Sequence, residues 1–296
     1  MTKIFVTQIP ESKKIALIKG LEEKGFSFSH PPYTYFQAKI KGVTCTLYKS
    51  LKLTVQGKEM ASFLEFFLEP EILQEPLYTY KKELLAEKLD KRTRIGVDEA
   101  GKGDYFGPLC VAGVMADTTT LPILIELGVC DSKKLSDSFI QKIAPKIVEA
   151  FPNYIIRLNP EKYNTLYQSF HNLNSLLAWC HATVIEHLSP HAPLVIVDKF
   201  AHESLVENAL KKKGVHIEIE QRTKGEEDVV VAAASIVARW AFINGLKELE
   251  NTFHCTLPKG ASKNVIQAAK KIAKERGMTI FTDIAKLHFK TTQQIS

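Results

Sequence analysis

Residues 96–109 read GVDEAGKGDYFGPL. Asp98 and Glu99 close what reads as a buried apolar strand, and Gly101, Lys102 and Gly103 follow at once. Burying two carboxylates unpaired is expensive, so something cationic must offset them. Taken alone, the pair could be salt-bridged to Lys102. A second apolar run, PLVIVDKF, also ends in a carboxylate, Asp198. Where separate core strands each finish in an acid, a shared cation is the better account, and hard oxygen ligands favour Mg²⁺ or Mn²⁺ over zinc. A fourth acid is expected where RTKGEEDVVVAAASIVAR enters a long helix. Glu226, Glu227 and Asp228 all stand there, although acids in a first turn also simply complement the helix dipole. Two carboxylate-held metals stabilise the entering and leaving oxygens of an in-line phosphoryl displacement with water as nucleophile.

The glycines suit that use. They let the backbone approach a substrate closely and leave N–H groups to meet phosphate or hydroxyl oxygens. No G-x-x-x-x-G-K-[ST] is present, which excludes a P-loop, and GKGDYFGP lacks the Rossmann spacing, with a strand expected where a helix should begin. In DSKKLSD, Lys133 and Lys134 are candidate phosphate contacts, with a solvated helix cap as the plain alternative. LPKGAS is a loop carrying Lys259. KLHFKTT holds His288, a structural histidine unless it lies near the acids.

The elements that must position these residues read as two patterns. In the first 75 residues, KIFVTQI is a strand, and Ser12 stands where it could cap a helix ended by Gly25. YTYFQAKI, VTCTLYK and LKLTVQ are strands, and GKEMASFLEFFLEPEI is a helix expected to stop near Pro70. Period-two alternation leaves one sheet face open, carrying Tyr35, Gln37, Lys39, Tyr48 and Lys52. From Lys24 to Lys58 there are six lysines and no acid. Such a face is either plainly solvated or suited to phosphate and sugar contacts; Tyr35, Lys39, Tyr48 and Lys52 are the candidates. Residues 76–93 read as a charged linker. From residue 94 to 296, short apolar strands alternate with longer helices, the pattern of an α/β layer with a central sheet.

Composition agrees without deciding. The chain of 296 residues is 45% hydrophobic and 24% charged, with a net charge of +6. Five scattered cysteines without a C-x-x-C pair suggest neither a disulfide framework nor a thiolate zinc site and point to a reducing compartment. No signal peptide and no apolar run of membrane-spanning length is read, so a cytoplasmic protein with no membrane partner is expected. Nothing demands more than a monomer.

The motifs GVDEAGKGDYFGPL, DSKKLSD, KYN, VIVDKF, TKGE, AAASIVAR, LPKGAS and KLHFK resemble, in this order, those of type 2 ribonucleases H, most of all the bacterial ribonuclease HIII subgroup. The resemblance runs from about Arg94 onward, and the N-terminal module is similar to that subgroup's TATA-binding-protein-like substrate domain. It implies a ribonuclease H-like mixed sheet flanked by helices. It also implies hydrolysis of the RNA strand of RNA–DNA hybrids by two metal ions, Mg²⁺ or Mn²⁺, leaving 5′-phosphate and 3′-hydroxyl ends. Carried onto this sequence, Asp98, Glu99 and Asp198 fall on metal-ligand positions and Glu226 on the fourth acid. Glu226 stands one residue closer to Ser235 than the pattern has it, leaving Glu227 and Asp228 as alternatives. Gly101, Lys102 and Gly103 match the loop that reads a 2′-hydroxyl beside the cut. Nicking at single embedded ribonucleotides, as in ribonuclease HII, another carboxylate-metal nuclease such as a junction resolvase, and non-catalytic hybrid binding are the rival readings.

Overall fold

The computed structural model describes residues 4–75, 90, 92–198, 204–223 and 225–295. Of the linker expected over 76–93, only Asp90, Arg92 and Thr93 are described; the rest lies outside the described residues. The chain divides into two compact units, Met1–Lys88 with Lys133–Phe139, and Leu89–Ser132 with Ile140–Ser296.

In the first unit, β1 (Ile4–Gln8), β2 (Ser27–Ser29), β3 (Thr34–Ile40), β4 (Val43–Tyr48) and β5 (Lys52–Gln56) form an antiparallel sheet in the order β1-β5-β4-β3-β2. The helix Lys14–Glu23 and a second helix press Leu17, Leu21, Leu64 and Leu68 onto Phe36, Ala38, Leu47, Leu53 and Val55. The short β2 escaped the sequence reading because three residues with serine at both ends show no apolar alternation. Ser12 lies inside a 3-10 turn, Glu11–Lys13, and caps nothing. The second helix does not stop at Pro70: it starts as Met60–Phe63 and continues over Leu64–Leu73 in π-helical geometry, where Gln74 N–H donates to Glu69 O at 2.6 Å. Proline stops an α-helix by crowding the carbonyl four residues back, and the wider π turn relieves that crowding.

Alternation places Lys39, Tyr48 and Lys52 on the open face, as expected. Tyr35 departs from it. The register between β3 and β4 shifts between Thr34 and Phe36, so Tyr35 is the extra residue of a bulge. Its ring packs against the apolar core, with Lys14 Nζ from the covering helix 4.4 Å from its centroid. The open face also carries two apolar side chains from β1, Ile4 at 56% and Val6 at 48% exposure.

In the second unit, β6 (Arg94–Ala100), β7 (Leu109–Ala116), β8 (Asn153–Leu158), β9 (Leu194–Asp198) and β10 (Glu218–Arg222) form a mixed sheet in the order β10-β9-β6-β7-β8. β6 runs parallel to β9, and β9 to β10, whereas β7 and β8 continue antiparallel. The helix Val229–Phe253 covers one face so closely that a Cβ on Gly96 would lie 2.3 Å from Val231 N. On the other face, a Cβ on Gly113 would meet Val184 Cγ1 of the helix Leu173–Leu188 at 2.5 Å. The sheet is thus pinched at two glycines by helices from both sides. By length and composition Val229–Phe253 could cross a membrane, contrary to the expectation that no run is long enough, yet 78% of its most apolar window is buried in the unit.

Asp228 caps that helix, accepting from Val230 N–H at 2.9 Å, and its other oxygen takes Arg94 Nε at 2.9 Å; both side chains are 2% exposed. Removing one partner of a buried pair strands the other charge. Arg94→Met is therefore expected to cost about 3 kcal/mol in urea unfolding, and Arg94→Met with Asp228→Asn less than the sum of the two single changes. Additive losses would show that the pair is not coupled.

Candidate active site

The parallel register Val97↔Val197 leaves Asp98 and Asp198 as the next residues on neighbouring strands. Side chains alternate, so Asp98 shares the face of Gly96, beneath the helix Val229–Phe253, and Glu99 faces the helix Leu173–Leu188. On the first face, Asp98 is hydrogen-bonded by Ser235, whose Oγ meets Ser132 Oγ at 2.7 Å, and Asp98 Oδ1 accepts from Glu99 N–H at 2.8 Å. On the second, the buried His181 sets Nε2 3.1 Å from Glu99 Oε2, and Lys102 Nζ lies 3.4 Å from Glu99 Oε1. Asp198 Oδ1 accepts from Gly225 N–H at 2.9 Å, an approach that needs glycine: a Cβ there would lie 2.9 Å from Asp198 Cα.

The two adjacent acids are treated differently. Desolvation, reinforced by the charge of Glu99, pushes the Asp98 carboxyl up to about 7. Burial works the same way on Glu99, but the hydrogen bond and charge of His181, with Lys102, hold it below its ordinary value. His181 was not singled out in the sequence; its signal is a polar side chain on the otherwise apolar face LLAWCHATVI.

Of the three candidate fourth acids, the structure separates one. Asp228 is committed to its cap and to Arg94, with Arg222 Nη1 at 3.4 Å. Glu226 and Glu227 lie in the turn Gly225–Glu227 that reaches Asp198 through Gly225, Glu226 half-buried and Glu227 exposed. Among the described residues, no three His, Cys, Asp or Glu side chains are grouped so as to hold a metal ion. Asp98, Glu99 and Asp198 instead point their oxygens at the partners just named.

The glycine loop joins β6 to β7. Gly101 has φ +85°, and a Cβ there would meet Pro108 O at 2.2 Å, whereas a Cβ on Gly103 would meet nothing within 4 Å. Gly101 therefore shapes the turn, and the backbone at Gly103 stands open to an approaching group. Asp104 Oδ1 accepts from Gly260 N–H at 2.6 Å, which gives the LPKGAS loop its place. His288 stacks on Tyr167, centroids 4.4 Å apart, with Nδ1 3.3 Å from Tyr163 Oη, and burial lowers its pKa. Lys133 and Lys134 form the turn Ser132–Lys134 and group with the first unit, where Lys134 Nζ lies 3.2 Å from Glu65 Oε1.

Two stretches of the chain match families of known proteins. The family model described as Ribonuclease HII matches residues 95–292. The chain belongs to the ribonuclease HII family. It is a ribonuclease H enzyme of the ribonuclease HIII type: it is 47% identical to Ribonuclease HIII of Protochlamydia amoebophila, over 98% of this chain and 96% of that one. It is 48% identical to Ribonuclease HIII of Chlamydia felis, over 100% and 98% of the two chains. The solved Bst-RNase HIII in complex with Mn²⁺ superposes with a TM-score of 0.65 at 28% identity, covering 99% of this chain and 98% of that one. Residues 5–76 match a domain of unknown function, DUF3378.

In this ribonuclease, a carboxyl with its folded pKa above the unfolded value stabilises the fold below about pH 4 and loses that contribution as the pH rises to about 7. In chelator-containing buffer, the melting temperature should fall further between pH 5 and pH 8 in the parent protein than in Asp98→Asn. Equal falls would show that Asp98 does not carry the effect.

Proposed function

We propose that this ribonuclease hydrolyses the RNA strand of RNA–DNA hybrids, as a cytoplasmic monomer using Mg²⁺ or Mn²⁺, and leaves 5′-phosphate and 3′-hydroxyl ends. The observation that carries the reading is the meeting of Asp98 and Asp198 on one face of adjacent parallel strands, beside Glu99, in a chain of this type. The donor set fits a hard divalent cation: every oxygen is a carboxylate, and Asp98 is raised by burial and by a neighbouring acid, a strain that positive charge relieves. Asp98, Glu99 and Asp198 would hold it, each exchanging a present hydrogen bond for the cation, with Glu226 as the fourth acid. The bound cation supplies charge neutralisation and Lewis acidity at a phosphodiester, the chemistry of a two-metal site. The solved Mn²⁺ complex of Bst-RNase HIII supports the choice of metal.

The protein's own groups do the rest. His181 and Lys102 keep Glu99 ionised and fix its direction. Ser235 and the Glu99 N–H orient Asp98. The backbone at Gly101, Lys102 and Gly103 meets the ribose 2′-hydroxyl beside the cut, which separates RNA from DNA. Residues 94–296 are the catalytic domain and residues 1–75 the substrate-binding one, with 76–93 between them. On the open face of the first unit, Lys39, Tyr48 and Lys52 hold the duplex by its backbone, and Lys133 and Lys134 add phosphate contacts. Tyr35, partly buried with its ring against the core, is a weaker candidate for that contact.

The match of residues 95–292 to Ribonuclease HII is the ground for a second reading, nicking at single embedded ribonucleotides. A labelled hybrid, digested with Mg²⁺ or Mn²⁺ and mapped at nucleotide resolution beside a duplex with one ribonucleotide, separates the two. Asp98→Asn and Glu226→Gln should each lower kcat by about 10³-fold or more while hybrid binding survives. Asp228→Asn should lower the unfolding midpoint but leave the folded fraction active. Full turnover by Asp98→Asn would refute the site, and loss of turnover only in Asp228→Asn would move the fourth acid. Replacing Lys39 and Lys52 by Ala should flatten the plot of log Kd against log salt by about two units of slope. An unchanged slope would remove the first unit's open face from the interface.

A further inference from the structure

Residues 104–107 of the glycine loop are gripped by chain that arrives from far along the sequence. Lys286 is fully buried, and its Nζ donates to Asp104 O at 2.8 Å and to Gly107 O at 2.7 Å. Its N–H donates to Tyr105 O at 2.9 Å, Gly107 N–H donates to Ile284 O at 3.0 Å, and Phe106 forms an isolated bridge with Ala285. Asn164 fixes this segment in turn, accepting from Leu287 N–H at 3.0 Å and donating to Ala285 O at 2.9 Å. Within the loop, Asp104 N–H donates to Gly101 O at 3.3 Å. The turn begun at Gly101 therefore ends on the residue whose carbonyl Lys286 holds.

An ammonium is a costly choice for a latch. Among the described residues no carboxylate oxygen lies within ion-pair distance of it; it meets two carbonyls and the Tyr163 ring, whose centroid is 5.8 Å away. Burial lowers its pKa to about 7. A side chain of the same length without charge would fill the space and avoid that desolvation. What the amine adds is a forked donor that ties two carbonyls of one loop to a single point.

We infer that Lys286 is a positioning residue for substrate selection: its grip on Asp104 and Gly107 sets the depth at which the backbone of residues 101–103 meets a ribose. The inference rests on the reading of that loop given under the proposed function. Lys286→Met keeps the stem and removes the donors. It is compared with the parent on two hybrids that differ only at the ribose beside the cut, one with a 2′-hydroxyl and one with a 2′-fluoro group, which accepts but does not donate. The kcat ratio between the two substrates should fall about tenfold in Lys286→Met. A folded variant that keeps the parental ratio, even if slower on both substrates, overturns the inference. Where circular dichroism shows Lys286→Met unfolded, Lys286→Gln, which retains an amide donor, takes the same test. If both fail to fold, the residue is an anchor of the fold only, and the inference falls. A parent protein that shows no preference for the 2′-hydroxyl overturns the loop reading itself, and is seen before any variant is compared.

Discussion

Two negative groups side by side at the end of a core strand set the terms for the second unit. Because Asp98 and Glu99 are consecutive in a strand, they face opposite layers, and each layer must answer its own charge. Behind Glu99 the helix Leu173–Leu188 offers His181, and the loop offers Lys102, so that acid keeps its proton off. Above Asp98 the helix Val229–Phe253 offers chiefly the Ser235 hydroxyl, a dipole rather than a cation. That imbalance makes Asp98 the acid of the pair whose ionisation most needs positive charge brought from outside.

The closeness of the helices follows from the same requirement. A hydroxyl can reach the end of β6 only if the helix that carries it lies nearly on the strand, and Gly96 permits this by having no side chain. The helix is then held in register at its start by Asp228 and Arg94. A residue that by sequence position was a rival ligand is thereby consumed as a structural fastening of the site.

Much of this was legible in the residues. Asp98 near the end of one core strand and Asp198 at the end of another, the glycine loop entering a strand rather than a helix, and the open face carrying Lys39, Tyr48 and Lys52 all follow from local alternation and turn chemistry. What could not be read depends on partners distant in sequence or on single irregular residues. Tyr35 packs against the core where one inserted residue shifts the register, and Pro70 passes through a helix because the turn widens around it. His181 and Lys286 acquire their roles from contacts with residues 99 and 104, which no spacing announces. The same holds for setting aside Asp228: the resemblance favours Glu226 but leaves Glu227 and Asp228 as rivals, and only the contact with Arg94 shows that Asp228 is taken up by a cap and an ion pair.

The latch formed by Lys286 has a consequence in time. A ribosome makes the chain from its amino end, so every acid of the site has been synthesised before Lys286 exists. Until then the segment 104–107 lacks the hold of Lys286, although the strands that bear Asp98 and Asp198 are already made. The glycine loop is thus closed late, after most of the second unit has already been made.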